Sequence, residues 1–335
     1  MTTQKNKGSI ADQNSEDWHQ QSEAKGAIIG VKILLFFNRI LGNRITRLLI
    51  SLVMLFYWLF SKKARNASED YLSTVSAYQL HNPQIPNNPQ TLSTFKHFVA
   101  FGNALFDKTL CWSGKITLKD VDIEPSKFKK SLQKKTEGIL ILGSHLGNIE
   151  VCRALAELET TQKIHVLIHT EQTEKFNDLL KSLNPKSHIN LISITNITPE
   201  TMIFLKSSLE QGDYVALLAD RLPVSSQVQS QNHITEISFL GRTAYFPKGP
   251  FILTLLLNVP TYFMVGLKVK NRYQIHFRSL QYPSVVSRRD RTAIINDLTS
   301  QYVHHLTFFC LQEPLQWFNF YQFWHITPLE ESQYE

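Results

Sequence analysis

Apolar runs of strand length recur through the middle of the chain: "GILILGSH" (138–145), "KIHVLIH" (163–169), "HINLISI" (188–194) and "DYVALLAD" (213–220). They are dominated by aliphatic side chains, the composition of parallel strands covered on both faces. The longer amphipathic stretches between them predict helices near 148–159, 172–183 and 198–210, the last with Thr198 and Pro199 as a cap and first-turn pair. Strand, helix, strand succession of this kind predicts an α/β layer. Further on, "FPKGPFILTLLLN" predicts a turn followed by a helix, and "TYFMVGLKV" and "YQIHFRSL" predict strands. The spacing of Ile294, Leu298, Tyr302, His305 and Phe309 predicts a long late helix. Upstream, residues 71 to about 135 read as helical, broken by the proline-rich loop "HNPQIPNNPQ" (81–90). The expected fold is therefore α/β, with a mixed, largely parallel central sheet flanked by helices.

Residues 27–65, "AIIGVKILLFFNRILGNRITRLLISLVMLFYWLFSKKAR", break this pattern. The uncharged part, 48–61, is shorter than the roughly 20 residues of a spanning helix, and Lys32, Arg39, Arg44 and Arg47 interrupt what precedes it. Basic residues stand on both sides, so no charge asymmetry orients a crossing. The segment reads as one or two helices lying in the membrane interface, basic side chains toward anionic headgroups and aromatics at headgroup depth. A buried helical hairpin turning at Gly42 and Asn43 is the plainer alternative. Three parts follow: a polar, partly disordered N-terminus (1–25), a membrane-associating helical segment (26–66) and the main α/β domain (67–335).

Composition narrows the choice of partner. The 335 residues are 43% hydrophobic, enough for a large core, and carry a net charge of +7, which favours anionic partners. Three cysteines without metal or disulfide spacing suit free thiols in a reducing compartment. No signal-peptide cleavage pattern follows the apolar segment, which points to a cytoplasmic body. The lysines are scattered, with no helix-turn-helix, RNP-like or zinc-finger pattern, so nucleic acid is not an expected partner. A Gly-x-Ser-x-Gly elbow is missing, which argues against a serine hydrolase. His304 and His305 lack an acid at ligand spacing, His165 and His169 lie in or beside a strand and face different environments, and no metal is expected.

The layout sets His145 at the carboxyl end of a strand and Glu150 in the first turns of the helix after it, the edge at which open α/β sheets bind ligands. A turn at Gly147 and Asn148 would bring the carboxylate back to the ring, where it would fix the tautomer and leave the other nitrogen as a base. A purely structural role explains the pair as well, because glutamates gather near helix starts.

Taken in order, several segments decide between these readings. "GSHLGNIEVCRAL" is similar to the His-x-x-x-x-Glu/Asp motif of the bacterial lipid A late acyltransferase family, within the lysophospholipid acyltransferase superfamily. "LLADRLPV" (217–224) resembles that family's central Asp-containing block, and "FLGRTAYFPKGPFILTLLLNVPTYF" (239–263) its glycine-turn block. The basic apolar leader and the aromatic "PLQWFNFYQFW" (314–324) resemble the family's two ends. The match is nearest to a branch of predicted acyltransferases in Gram-negative bacteria. Lys248 of "FPKGP" stands where a phospholipid-type branch carries glutamate, which makes a glycerol-phosphate acceptor, as in a lysophosphatidate-like enzyme, the lesser alternative.

The resemblance implies a membrane-associated acyltransferase at the cytoplasmic face of the bacterial inner membrane. It would move a fatty acyl group from an acyl-carrier protein or coenzyme A thioester to a hydroxyl or amine of a lipid or glycolipid acceptor, with no cofactor. His145 is then the base, Glu150 its orienting partner, and Asp220 a group fixing the acceptor or a loop. Arg221, Arg242 and Arg153 are candidates for binding a phosphate of donor or acceptor, since guanidinium suits bidentate phosphate contact; each is otherwise an ordinary surface or paired arginine. A non-enzymatic peripheral adaptor on anionic lipid is the rival class, for which the leader and charge would suffice.

Overall fold

The computed structural model describes residues 9–84, 92–124, 138–149, 162–168, 177–178, 181, 189–194, 198–222 and 231–325. Its helices are α1 (Ser9–Phe60), α2 (Lys62–His81), α3 (Thr94–Trp112), α4 (Pro199–Glu210), α5 (Gly249–Leu257) and α6 (Arg291–Gln312). The strands are β1 (Val121–Glu124), β2 (Ile139–Gly143), β3 (Ile164–Ile168), β4 (Ile189–Ser193), β5 (Tyr214–Leu218), β6 (Ile234–Phe239), β7 (Arg242–Pro247), β8 (Thr261–Val269) and β9 (Arg272–Leu280). Seven strands form one sheet in the order β1-β9-β8-β2-β5-β3-β4, and β6 and β7 make a separate hairpin. Only the β8–β9 pair within the large sheet is antiparallel. The fold is thus α/β with a mostly parallel mixed sheet, as the apolar runs predict.

Each of the runs at 138–145, 163–169, 188–194 and 213–220 contains a strand of the sheet, and β2 is buried at every position. The Thr198 hydroxyl caps α4 by accepting from the Thr201 N–H, with Pro199 in the first turn. The helices expected near 148–159 and 172–183 fall almost wholly outside the described residues.

Two elements correct the sequence expectation. The supposed helical stretch up to residue 135 ends at Trp112 and is followed by β1, a four-residue edge strand whose only partner strand among the described residues is β9, some 150 positions along the chain. Such a strand exists through its distant partner, so little in its own four residues announces it. The β6–β7 hairpin also escapes the pattern. Its turn holds Leu240 at φ 50° and Gly241 at φ 78°, and leucine is a poor signal for a left-handed turn position. The Leu240 side chain is buried, which offsets the backbone cost.

The apolar leader forms α1, broken at Gly42 (φ 76°, ψ 169°), the residue that the hairpin alternative names as a turn. Residues Ile33–Phe60 are long and apolar enough to cross a membrane, and the window is 17% buried. The buried share faces α3: Ile50 packs with Phe106 and Leu110, and Met54 with Gly102, where an added Cβ would lie 2.6 Å from its Cγ. Arg47 also bonds Asn103 at 2.9 Å and pairs with Asp107. The other faces expose Phe36, Phe37, Leu48, Leu52, Phe56 and Phe60.

Candidate functional site

Strands β2 and β5 are parallel neighbours in a register that sets Gly143 beside Leu218. Counting two residues past each gives His145 and Asp220, so the register itself delivers imidazole and carboxylate to one point on the carboxyl edge of the sheet. His145 Nδ1 lies 2.8 Å from Asp220 Oδ1, and the His145 backbone N–H donates to Asp220 Oδ2 at 2.8 Å. The indole Nε1–H of Trp317 donates to the same Oδ2 at 3.1 Å. Asp220 is fully buried. Burial by itself would raise its carboxyl, but the His145 charge and hydrogen bonds, with the Arg221 charge, hold it below the ordinary carboxylate range. An ionised Asp220 must accept from Nδ1–H. That fixes the proton on Nδ1 and leaves the Nε2 lone pair as the ring's basic site.

The backbone around His145 is clamped. Gly147 N–H donates to Gln316 O and Asn148 N–H to Gly266 O, each at 2.8 Å, while Phe318 N–H donates to His145 O at 3.0 Å. Gly147 has φ 71°, and an added Cβ would stand 2.3 Å from Gly266 O, so both its conformation and its clearance require glycine. Behind this segment the Tyr302 hydroxyl donates to Gly143 O at 2.7 Å. Trp317, buried against Tyr71 and Phe239, also accepts through its carbonyl from His97 Nε2 at 2.9 Å, and His97 Nδ1 takes the Ser68 hydroxyl at 2.8 Å. The dyad is thereby tied to α2, α3 and the C-terminal segment.

His145 opens onto a groove of about 750 Å³, within the usual range for ligand sites. Phe98, Phe101 and Leu105 of α3, Met54 and Tyr57 of α1, and Phe318 supply much of its wall. The groove is mostly apolar and connects the dyad with the exposed face of α1. Ser144 also touches the groove, but its side chain is buried and its Oγ accepts from the Leu146 N–H at 3.3 Å.

The expected site residues separate into groups. His145 stands where the sequence puts it. Asp220 is buried behind the ring, where it holds the His145 backbone and the Trp317 indole, and its carboxylate stands at the orienting position that the sequence reading gives to Glu150. Glu150 and Arg153 lie outside the described residues. Arg221 lines the groove, donates to Phe318 O at 2.6 Å and lies 5.3 Å from the Tyr321 ring centroid. Arg242 is absent from the groove wall; it bonds Asp70 at 2.8 Å and Thr74 at 2.9 Å and stacks over Trp324, tying β7 to α2. Trp317 and Tyr302 escape sequence reasoning: one sits in an aromatic tail and the other in a helical apolar stripe, both patterns of ordinary core. Among the described residues no cluster of His, Cys, Asp or Glu could hold a metal ion. A scan against protein-family models and a search of curated proteins found no match to this chain.

Proposed function

We propose that the protein is a membrane-associated acyltransferase that moves a fatty acyl group from an acyl-carrier protein or coenzyme A thioester to a hydroxyl or amine of a lipid or glycolipid acceptor. The observation that carries this reading is the His145–Asp220 dyad at the end of an apolar groove whose outer wall is the lipid-type helix α1. A thioester is already activated, so the protein must supply a base, a positioned acceptor and a dry site. Nε2 of His145 takes the acceptor proton as the new C–O or C–N bond forms at the thioester carbonyl. Asp220 steadies the imidazolium. Collapse of the tetrahedral species breaks the C–S bond, and the ring returns the proton to the departing thiolate. Arg221, on the groove wall, is the cation beside the dyad available to a phosphate of either substrate.

Attachment at the cytoplasmic face of a bacterial inner membrane, partnered by anionic lipid, fits the basic residues among the exposed apolar ones on α1. The adaptor reading explains α1 and the charge, but gives no reason for a buried carboxylate behind an imidazole that opens on a groove. Single-turnover reactions with a labelled acyl thioester test the mechanism. Without acceptor no acyl-protein should accumulate, and a stable adduct on Ser144 or a cysteine would contradict direct transfer.

A further inference from the structure

A second cavity, of about 370 Å³, lies at the dyad's clamp. It shares Ala104, Gly147, Asn148 and Phe318 with the first groove, so the two adjoin. Its lining differs in kind. Arg47 and Lys268 both pair with Asp107, which is buried and also accepts from the Tyr273 hydroxyl at 2.7 Å. Two cations on one carboxylate leave positive charge in excess there. Lys270 adds another cation, and Glu313 in the same lining offsets one. Among the described residues Arg47 bonds Asn103 and Asp107 through two of its five N–H groups, and Lys268 gives one of three to Asp107, so toward these partners both retain donors for an incoming anion.

The backbone adds an independent observation. Lys270 occupies the β8–β9 turn at φ 57°, where glycine would sit without strain and a lysine does not. The chain accepts that cost and gains a cation at the cavity.

We infer that this cavity binds a phosphate group, carried by an amphiphile whose apolar chain lies in the adjoining groove. Guanidinium plus ammonium in a half-enclosed cavity is a donor set for phosphate, and the shared lining residues put that phosphate next to the groove that holds the chain. Assigning the phosphate to a substrate rests on the acyl-transfer reading; the site itself does not.

Two sources carry this chemistry, the phosphopantetheine arm of a donor and the headgroup of a lipid, and calorimetric titration of the full chain in detergent separates them. One arm compares 4′-phosphopantetheine with pantetheine. The other compares dioctanoyl phosphatidate with dioctanoylglycerol. In at least one arm the phosphorylated member should bind about tenfold tighter, an advantage that salt reduces. Lys268→Met and Lys270→Gly should each cut that advantage about five-fold. Because Lys270→Gly relieves a left-handed backbone, it should keep or raise the unfolding midpoint, which separates lost binding from lost fold. The arm with the advantage names the source. No phosphate advantage in either arm, or an advantage that both variants retain in full, overturns the inference. Since binding is measured and not turnover, phosphate binding by a protein that transfers no acyl group would keep the site and defeat the proposed reaction.

Discussion

Asp220 shows how much depends on single hydrogen bonds. Its Oδ2 takes two fixed donors, the His145 N–H and the Trp317 indole, while Oδ1 takes His145 Nδ1. In Asp220→Asn the amide oxygen must stay with those two donors, which turns the NH₂ toward Nδ1. The imidazole then carries its proton on Nε2 and loses its base. This isosteric change should lower kcat about a hundred-fold or more with little effect on KM, as should His145→Ala, and the double variant should be scarcely worse than either. Glu150→Gln should cost less than Asp220→Asn if Asp220 is the orienting group, and steady-state kinetics on the three variants decide it. Trp317 also couples the site to stability through His97. Burial, opposed by the bond to the Trp317 carbonyl, lowers that ring to about 4 from 6.5. The unfolded chain therefore binds more protons between these values. Stability present above pH 6.5 is lost as pH falls through 4, by about 3 kcal/mol. Denaturant unfolding across this range should show a steeper slope for the parent than for His97→Gln, and equal slopes would remove His97 from the account.

At the scale of elements, the clamp on residues 145–148 is the critical feature. Gly147→Ala adds a Cβ at 2.3 Å from Gly266 O in a left-handed residue, and should cost on the order of 3 kcal/mol by denaturant unfolding. If Gly147→Ala is as stable as the parent, the clamp is looser than described. The contrast between what the sequence reveals and hides follows the range of the interactions. Local apolar runs announce β2, β3, β4 and β5, and the Thr198 cap announces α4, because each is determined within about ten residues. The pairing of β2 with β5 skips two strands in chain order, so the runs "GILILGSH" and "DYVALLAD" each end in a legible chemical group without saying that the groups meet. Proximity in sequence favours Glu150; proximity in the sheet belongs to Asp220. The second cavity, built from α1, α3 and the β8–β9 turn, is hidden for the same reason.

For the whole molecule, the proposed membrane attachment turns on α1. One side of the helix is docked on α3 through Ile50, Met54 and Arg47, and α3 buries the polar His97 and Asp107, so α3 belongs with the water-soluble body and α1 lies along it. A helix held lengthwise in this way suits the membrane surface, and on the proposed attachment the exposed Phe36, Leu52 and Phe56 would enter the acyl boundary. Alkaline carbonate should therefore release the protein from membranes, and binding to anionic vesicles should weaken with salt without vanishing; retention after carbonate would instead make α1 a span. Under the proposed function, an acyl chain and a lipid acceptor meet where the groove reaches the dyad. The most direct measurement incubates the purified full chain with a thioester of acyl-carrier protein or coenzyme A, isotope-labelled in the acyl group, and total bacterial membrane lipid, and follows labelled lipid by mass spectrometry beside Asp220→Asn. The account predicts labelled lipid from at least one donor, reduced about a hundred-fold in the folded variant. No labelled lipid from either donor, or equal rates for the two proteins, would contradict it.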